Sequence, residues 1–210
     1  MPRVAQLAST PQCADFILEA ARHLLAEVGY GAMSMRQLAT RAGLLPGSLY
    51  HHVAGKQEVL LHVLTDMLET RDAAWRKHSR RAGTLGELRS FIGFLLKWQA
   101  AHPDEMKVLA HEYRHLDLHS QRWLEQRTHS LPAHLQGLLQ RGRLEGLFAD
   151  IDAAFATSAI LALIGSATGL QHSPEPWTPA RLETHYYHMI SRLLDVRPDC
   201  RSSSKKRVTE

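Results

Sequence analysis

The residues best suited to chemistry lie between positions 46 and 56, and their types favour hydrogen bonding to a surface rather than catalysis. Leu49 and Val53 recur at the i, i+4 spacing of one helix face and should point inward. The small and polar residues between them then point outward: Gly47, Ser48, His51 and His52. Small residues let a backbone approach the floor of a DNA groove, and the polar side chains can reach base edges. These residues are candidates for contacting the base edges of DNA.

Three helix starts would position this set. Ser34 stands three residues before Gln37, which is the spacing of a capping box, so a helix should begin at about residue 35. Gly43 should end it, and Pro46 should start a second helix that runs to about residue 52. A third helix begins at Lys56, where free N–H groups beside a lysine would suit a phosphate. The pattern predicts a helix-turn-helix.

The segment from Ile17 to Leu64, which includes AARHLLAEVGYGAMSMRQLATRAG and GSLYHHVAGKQEVLLHVL, resembles the DNA-binding domain of the TetR/AcrR family of bacterial transcriptional regulators. The chain departs from the family pattern at Leu45 and Pro46, where that family usually has Ser or Thr and often a basic residue, and at Val53, where phenylalanine is common. The resemblance implies backbone contacts from Ser34 and Arg36, base contacts from Pro46, Gly47, Ser48 and His51, and phosphate contacts from Tyr50, His52 and Lys56.

The positive charge of the chain is concentrated at two places. Residues 197 to 210 contribute +3 of the formal net charge of +4, and we expect them to form a basic, disordered tail. Residues 34 to 56 contain Arg36, Arg41 and Lys56 and no acidic residue. The predicted recognition helix itself has no Lys or Arg, so DNA affinity should depend weakly on salt and should rise as His51 and His52 gain protons at mildly acidic pH.

The hydrophobic period is helical throughout, which predicts an all-α chain. We divide it into a flexible arm (1–12), a helix-turn-helix domain (13–60), a helical effector-binding and dimerisation domain (61–196) and the tail (197–210). The predicted helices outside the motif span residues 15–28, 56–81, 85–101, 103–116, 120–147, 151–171 and 179–196. Pro132 should kink or split the helix over 120–147.

Several classes of protein are disfavoured by what the sequence lacks. Cys13 and Cys200 have no metal-like spacing, and no cofactor is expected. The longest apolar run is too short for a membrane span and there is no signal peptide, which predicts a cytoplasmic protein without a membrane partner. The sequence has no phosphate loop, nucleophile elbow or spaced carboxylate pair, so we do not expect an enzyme.

Residues 151–171 are apolar almost all round and precede an amphipathic helix. Small residues in the first helix, with Tyr186, Met189, Ile190 and Leu193 in the second, suit a four-helix interface between two copies, although an internal core would also explain them. A dimer fits a helix-turn-helix, which reads a palindrome by two-fold symmetry.

Aromatic side chains on three successive helices are candidates for lining an effector cavity: Phe91, Phe94, Trp98, Tyr113 and Trp123. Ordinary core is the alternative. The TetR resemblance implies a small-molecule effector that releases DNA. The stretches VLAHEYRHLDLHSQRWLEQR and LLQRGRLEGLFADID are similar to members linked to fatty-acid or steroid catabolism, some of which sense acyl-CoA. That similarity implies that Arg114, Arg122 or Arg127 meets an anionic head group.

The resulting hypothesis is a homodimeric repressor that a small apolar, aromatic or acyl effector releases from a palindromic operator in double-stranded DNA. A metal-responsive regulator is an alternative, because His111, His115 and His119 fall at i, i+4, i+8, although Asp117 should break that helix. A helical adaptor that binds another protein is the third possibility.

Overall fold

The computed structural model describes residues 11–172 and 177–196, and over these ranges the fold is all-α, as predicted. Within the described residues, ten α-helices are joined by turns and by 3₁₀ segments at Tyr113–His115 and Ser166–His172. They are α1 (Pro11–Ala32), α2 (Met35–Arg41), α3 (Pro46–Leu49), α4 (Lys56–Lys77), α5 (Thr84–Ala101), α6 (Pro103–Glu112), α7 (Leu118–Arg127), α8 (Ser130–Leu144), α9 (Ala153–Gly165) and α10 (Pro179–Leu193).

The described residues cluster into two compact units. The first contains residues up to Arg76 together with His102–His129, and the second contains Lys77–Ala101 and the residues from Ser130 onward. The segment 102–129 joins the first unit because α6 packs against α1. The boundary between these units does not coincide with the predicted domain boundary at residue 60. The division into a DNA-binding and an effector domain concerns function and stays a prediction.

The first unit has a core built from α1, α2, α3, α4, α6 and α7. Its fully buried side chains include Ile17, Leu38, Leu49, Leu60 and Leu124. Helix α1 begins at Pro11, inside the segment 1–12 that we predicted as an arm, because proline suits the first turn of a helix. Residues 1–10 of that arm and the tail 197–210 lie outside the described ranges.

The second unit is organised around α5, whose side chains are buried on almost every face and which packs against α8 and α10. The buried carboxylate of Glu183 on α10 accepts a hydrogen bond from Arg89 Nε at 3.0 Å. It fits beside Gly93, where an added Cβ would lie 2.8 Å from Glu183 Oε2. The absence of a side chain at Gly93 therefore permits this ion pair between helices.

Several predicted helices differ from those observed. The predicted spans 103–116 and 151–171 end as α-helices at Glu112 and Gly165 and continue as 3₁₀ segments. The span 120–147 is split, as the proline indicated: α7 ends at Arg127, and α8 begins at Ser130 with Pro132 in its first turn. The span 56–81 is shorter than predicted and ends at Lys77.

One stretch, Ala153–Leu170, is long and apolar enough to cross a membrane by length and composition, with a mean hydropathy of 1.7 and 28% of its residues buried. No uninterrupted apolar run marks this stretch in the sequence, because Gly165, Ser166 and Thr168 interrupt it without lowering its mean hydropathy much. A single such stretch is weak support for a membrane span.

Candidate DNA-binding site

The capping box predicted for α2 is present. The Ser34 hydroxyl accepts the Gln37 backbone N–H at 3.2 Å, and the Gln37 side-chain oxygen accepts the Ser34 N–H at 2.8 Å. Leu38 and Ala39 are fully buried, and Gly43 ends the helix with φ +70°. Both ends of α2 are therefore fixed by local chemistry that the sequence displays.

Helix α3 begins at Pro46, as predicted, and is α-helical only to Leu49. It is extended by turns in which the N–H groups of His51 and His52 donate to the carbonyls of Ser48 and Leu49. The residue at its N-cap is Leu45, whose side chain makes no cap hydrogen bond. Burial of Leu49 and Val53, which was predicted, holds this short helix on the core.

The predicted readers lie on the exposed side of α3. Pro46, Gly47, Tyr50 and His51 are exposed, and Ser48 and His52 are half-buried. A Cβ added at Gly47 would meet nothing within 4 Å, so packing within this chain does not require a glycine there. An open backbone at this position favours the close approach of a partner surface.

At the start of α4, where we predicted free N–H groups suited to a phosphate, an acidic side chain occupies a backbone N–H group. The carboxylate of Glu58 folds back and accepts the Ala54 N–H, so an acidic side chain already lies at this helix N-terminus. The Lys56 ammonium donates to the Gly31 carbonyl at 3.2 Å and lies 4.3 Å from the centre of the Tyr30 ring. An acidic residue in a first helical turn is a local signal that the sequence already contained.

The cations near the motif are only partly available. Arg41 pairs with Glu27 at 2.8 Å, and this hydrogen bond lowers the pKa of Glu27 and raises the pKa of Arg41. Arg36 is exposed on α2, and within residues 11–172 and 177–196 its guanidinium is in no ion pair. The positive field around α3 is thus weaker than the sequence count suggests.

A polar cluster that sequence reasoning missed connects the start of α4 with the turn before α7. Gln57 Nε2 donates to Tyr30 Oη at 2.9 Å and to the His115 carbonyl at 2.6 Å, and Gln57 Oε1 accepts the Asp117 N–H at 3.3 Å. The buried carboxylate of Glu112 accepts the Tyr30 N–H at 3.1 Å. We call these five residues the Gln57 junction.

The candidate effector residues fall in both units. Phe91 and Phe94 are buried in the second unit, where the Phe94 and Trp98 rings lie 5.9 Å apart. Tyr113 and Trp123 pack against the core of the first unit. Burial and the hydrogen bond to Glu125 raise the pKa of Tyr113 to about 12. A shared role in effector binding stays a prediction.

The arginines proposed for an anionic head group are all exposed. Arg127 pairs with Glu69 at 2.5 Å and lies 5.4 Å from the Trp123 ring. A groove of about 370 Å³ lies elsewhere in the first unit, between α1 and α2, and none of the five predicted aromatic residues lines it.

The three histidines considered for a metal do not share one helix. His111 is in α6, His115 is in the following 3₁₀ turn, and His119 is in α7. The helical structure is interrupted at Leu116 and Asp117, as predicted. Asp117 caps the next helix, α7, by accepting the Ser120 N–H. Among the described residues, no group of three His, Cys, Asp or Glu side chains could hold a metal ion.

The helices proposed for dimerisation expose apolar side chains. Phe155 on α9 is 68% exposed, and Met189 and Leu193 on α10 are also exposed. The two elements meet where the hydroxyls of Ser166 and Tyr186 lie 3.2 Å apart. Tyr186 and Ile190, also predicted for the interface, are buried within the second unit.

Comparison with known proteins supports this arrangement in both halves of the chain. Residues 17–63 match the family model described as bacterial regulatory proteins, tetR family, and residues 84–194 match the tetracyclin repressor-like C-terminal domain. The transcriptional repressor KstR2 of Mycobacterium tuberculosis is 30% identical over 141 residues, covering 65% of this chain and 70% of KstR2.

Solved structures share the fold. A tetR-family regulatory protein from Rhodococcus RHA1 has a TM-score of 0.80 at 22% identity, covering 90% of this chain and 100% of that chain. AibR, solved in complex with isovaleryl coenzyme A and operator DNA, has a TM-score of 0.73 at 18% identity, covering 88% of this chain and 100% of AibR. With a capped α2, a proline-started α3 and both family domains in order, the chain belongs to the TetR family of DNA-binding transcriptional regulators.

Proposed function

We propose that this protein is a cytoplasmic, homodimeric repressor that leaves a palindromic operator when an acyl-CoA thioester binds. The observation that supports DNA binding best is the exposed side of α3, held on the core by Leu49 and preceded by the doubly capped start of α2. Repression is inferred from KstR2, which is a transcriptional repressor.

The proposed DNA contacts are those that the resemblance to the TetR family implies, and their residues are exposed or half-buried. Ser34 and Arg36 approach the DNA backbone, Pro46, Gly47, Ser48 and His51 meet base edges, and Tyr50, His52 and Lys56 touch phosphates. Lys56 keeps its bond to Gly31 in this arrangement and offers phosphate its remaining N–H donors. These contacts position α3 in a major groove.

The dimer is supported by the surface of α9 and α10. An 18-residue apolar stretch of which 28% is buried is an unfavourable surface for water, and a second copy would cover it. Two copies related by a two-fold axis would bring two α3 helices to half-sites about one DNA turn apart, or a multiple of it. In the adaptor hypothesis, a different protein would cover this surface instead. No contact among the described residues favours that alternative.

The acyl-CoA class is supported by AibR, which was solved with isovaleryl coenzyme A. Phe91, Phe94 and Trp98 of the second unit are the proposed apolar contacts, and Tyr113 and Trp123 of the first unit stay candidates from the sequence. Of the proposed head-group residues, Arg114 and Arg122 are better placed than Arg127, which already pairs with Glu69. The effector must favour one conformation of the DNA-binding unit over another, because only differential affinity couples two sites.

The test is an electrophoretic shift of the DNA upstream of the protein's own gene. We expect full-length protein to retard this DNA, isovaleryl-CoA or a longer acyl-CoA to release it, and free coenzyme A to have no effect. If no DNA is retarded in any ligand state, the regulator function is wrong. If DNA is retarded but no acyl-CoA releases it or gives calorimetric heat, only the effector class is wrong.

The salt dependence of binding provides a second test. Arg41 is paired with Glu27 and Glu58 lies at the α4 N-terminus, so few phosphates beyond those near Arg36 and Lys56 should be neutralised per subunit. Affinity between about 50 and 200 mM salt should therefore fall by less than the roughly 10³-fold that about six phosphate contacts cause. A loss of that size or larger would contradict the contact set.

A further inference from the structure

Leu45 is the most exposed large apolar residue among the described residues of the recognition region. It is 76% exposed, whereas its neighbour Leu44 is partly buried against the core. Its backbone is extended (φ −70°, ψ 143°) at the N-cap of α3, a position at which a Ser or Thr hydroxyl would accept a helix N–H. Leucine makes no such bond and leaves a branched apolar side chain in water.

The surface next to Leu45 is also poor in polar groups. Pro46 and Gly47 are exposed and have no hydrogen-bonding side chain. The start of α3 therefore presents C–H surface, with the first polar side chain at Ser48. Such a surface cannot form the paired hydrogen bonds by which Arg, Lys, Asn or Gln identify a purine.

The nearby cations do not change this character. Arg41 is held by Glu27, and Lys56 by the Gly31 carbonyl. The C5 methyl group of thymine is the apolar feature of the major groove, and apolar side chains recognise it by contact. An exposed leucine at the leading end of a recognition helix fits this chemistry.

We propose that Leu45 contacts the C5 methyl group of a thymine in each half-site of the operator and thereby selects thymine at that position. The inference rests on the proposed function, since it requires α3 to enter the major groove. Burying one methyl-sized group contributes about fourfold in affinity, which is about 0.8 kcal/mol at about 1.4 kcal/mol per tenfold. Two half-sites would together contribute about 15-fold.

The test uses the operator that full-length protein selects from random duplex DNA. Each thymine is replaced singly, and then symmetrically, by deoxyuridine, which pairs identically but lacks the methyl group, and dissociation constants are measured by fluorescence anisotropy. One thymine per half-site should show the fourfold loss with the native protein. L45A should bind the unmodified operator about 15-fold more weakly and show no loss with deoxyuridine at that position.

Two further variants separate contact from folding. Leu144→Ala changes a leucine of matched exposure (84%) in α8 and should keep both the native affinity and the deoxyuridine loss. Leu45→Ser should raise the melting temperature by capping α3, yet lose the sensitivity to deoxyuridine. The inference is overturned if L45A retains native affinity, or if it shows the same deoxyuridine loss as the native protein. If random DNA yields no selected sequence, the proposed function itself fails.

Discussion

Replacement of Gln57 by alanine should destabilise the first unit by about 2 kcal/mol. The side chain makes three hydrogen bonds, to Tyr30 Oη at 2.9 Å, the His115 carbonyl at 2.6 Å and the Asp117 N–H at 3.3 Å. Each such bond contributes about 1 kcal/mol net, and we discount the longest, because Asp117 is exposed and water can replace its acceptor. The remaining two bonds, which involve half-buried partners, give the expected loss.

The measurement is urea unfolding followed by circular dichroism, with hydrogen exchange of the Asp117 amide as a local readout. Q57A should unfold at a lower urea concentration, and the Asp117 amide should exchange faster, because its acceptor is gone. Gln126→Ala, at an exposed glutamine of α7, is the matched control and should change neither quantity. An unfolding free energy of Q57A within about 0.5 kcal/mol of Q126A, with unchanged exchange at Asp117, would refute the role of the junction.

Three further predictions concern assembly and stability. Phe155→Glu should convert the proposed dimer to a monomer in sedimentation equilibrium. Phe16→Glu changes a phenylalanine of similar exposure (62%, against 68% for Phe155) and should not, and a dimeric F155E contradicts the proposed interface. Gly142→Ala should cost about 1–3 kcal/mol, because its Cβ would lie 2.1 Å from the Phe148 ring. Gly137→Ala in the same helix meets nothing within 4 Å and should instead stabilise by up to about 1 kcal/mol, so equal effects of the two changes would show the packing argument to be wrong. Burial lowers the pKa of His134 against the opposing effect of Glu87, so the folded state binds fewer protons than the unfolded chain and stability falls as pH drops below about 6.5. His134→Gln should lose less stability than the native protein between about pH 7.5 and 5.5, and an equal loss would contradict this sign.

The features that the sequence predicted correctly depend on neighbours along the chain. Ser34 and Gln37 form their capping box across three residues, and Gly43 and Pro46 set the end of one helix and the start of the next through their own backbone preferences. Burial of Leu49 and Val53 followed from helical spacing. The helix-turn-helix can therefore be predicted without knowledge of the tertiary fold.

The features that the sequence did not reveal depend on residues far apart in the chain. Nothing local connects Gln57 with His115, or Tyr30 with Glu112, because these pairs meet only when α6 packs on α1. Helical spacing showed which side of α6 and α7 is apolar but not which neighbour covers it, so it could not show that Tyr113 and Trp123 pack on the core of the first unit.

The available charge around α3 could not be counted from sequence for a related reason. Composition alone presents Arg41 and Lys56 as free cations, because no acidic residue lies between positions 34 and 56. The partner of Arg41 is Glu27 on α1, and the partner of Lys56 is a backbone carbonyl, which no residue count includes. Pairing of Arg41 with Glu27 therefore reduces the local field that composition suggests, whereas Lys56 is held in place but keeps its charge.

The most direct test of DNA reading by α3 is selection of binding sites from random duplex DNA by the full-length protein and by His51→Ala. We expect the native protein to enrich a two-fold symmetric sequence with half-sites about one DNA turn apart, or a multiple of it. We expect H51A, a change at an exposed residue of this helix, to lose base preference at one position of each half-site while the rest of the sequence is retained. Failure of the native protein to enrich any sequence, or an unaltered preference in H51A, would contradict the account.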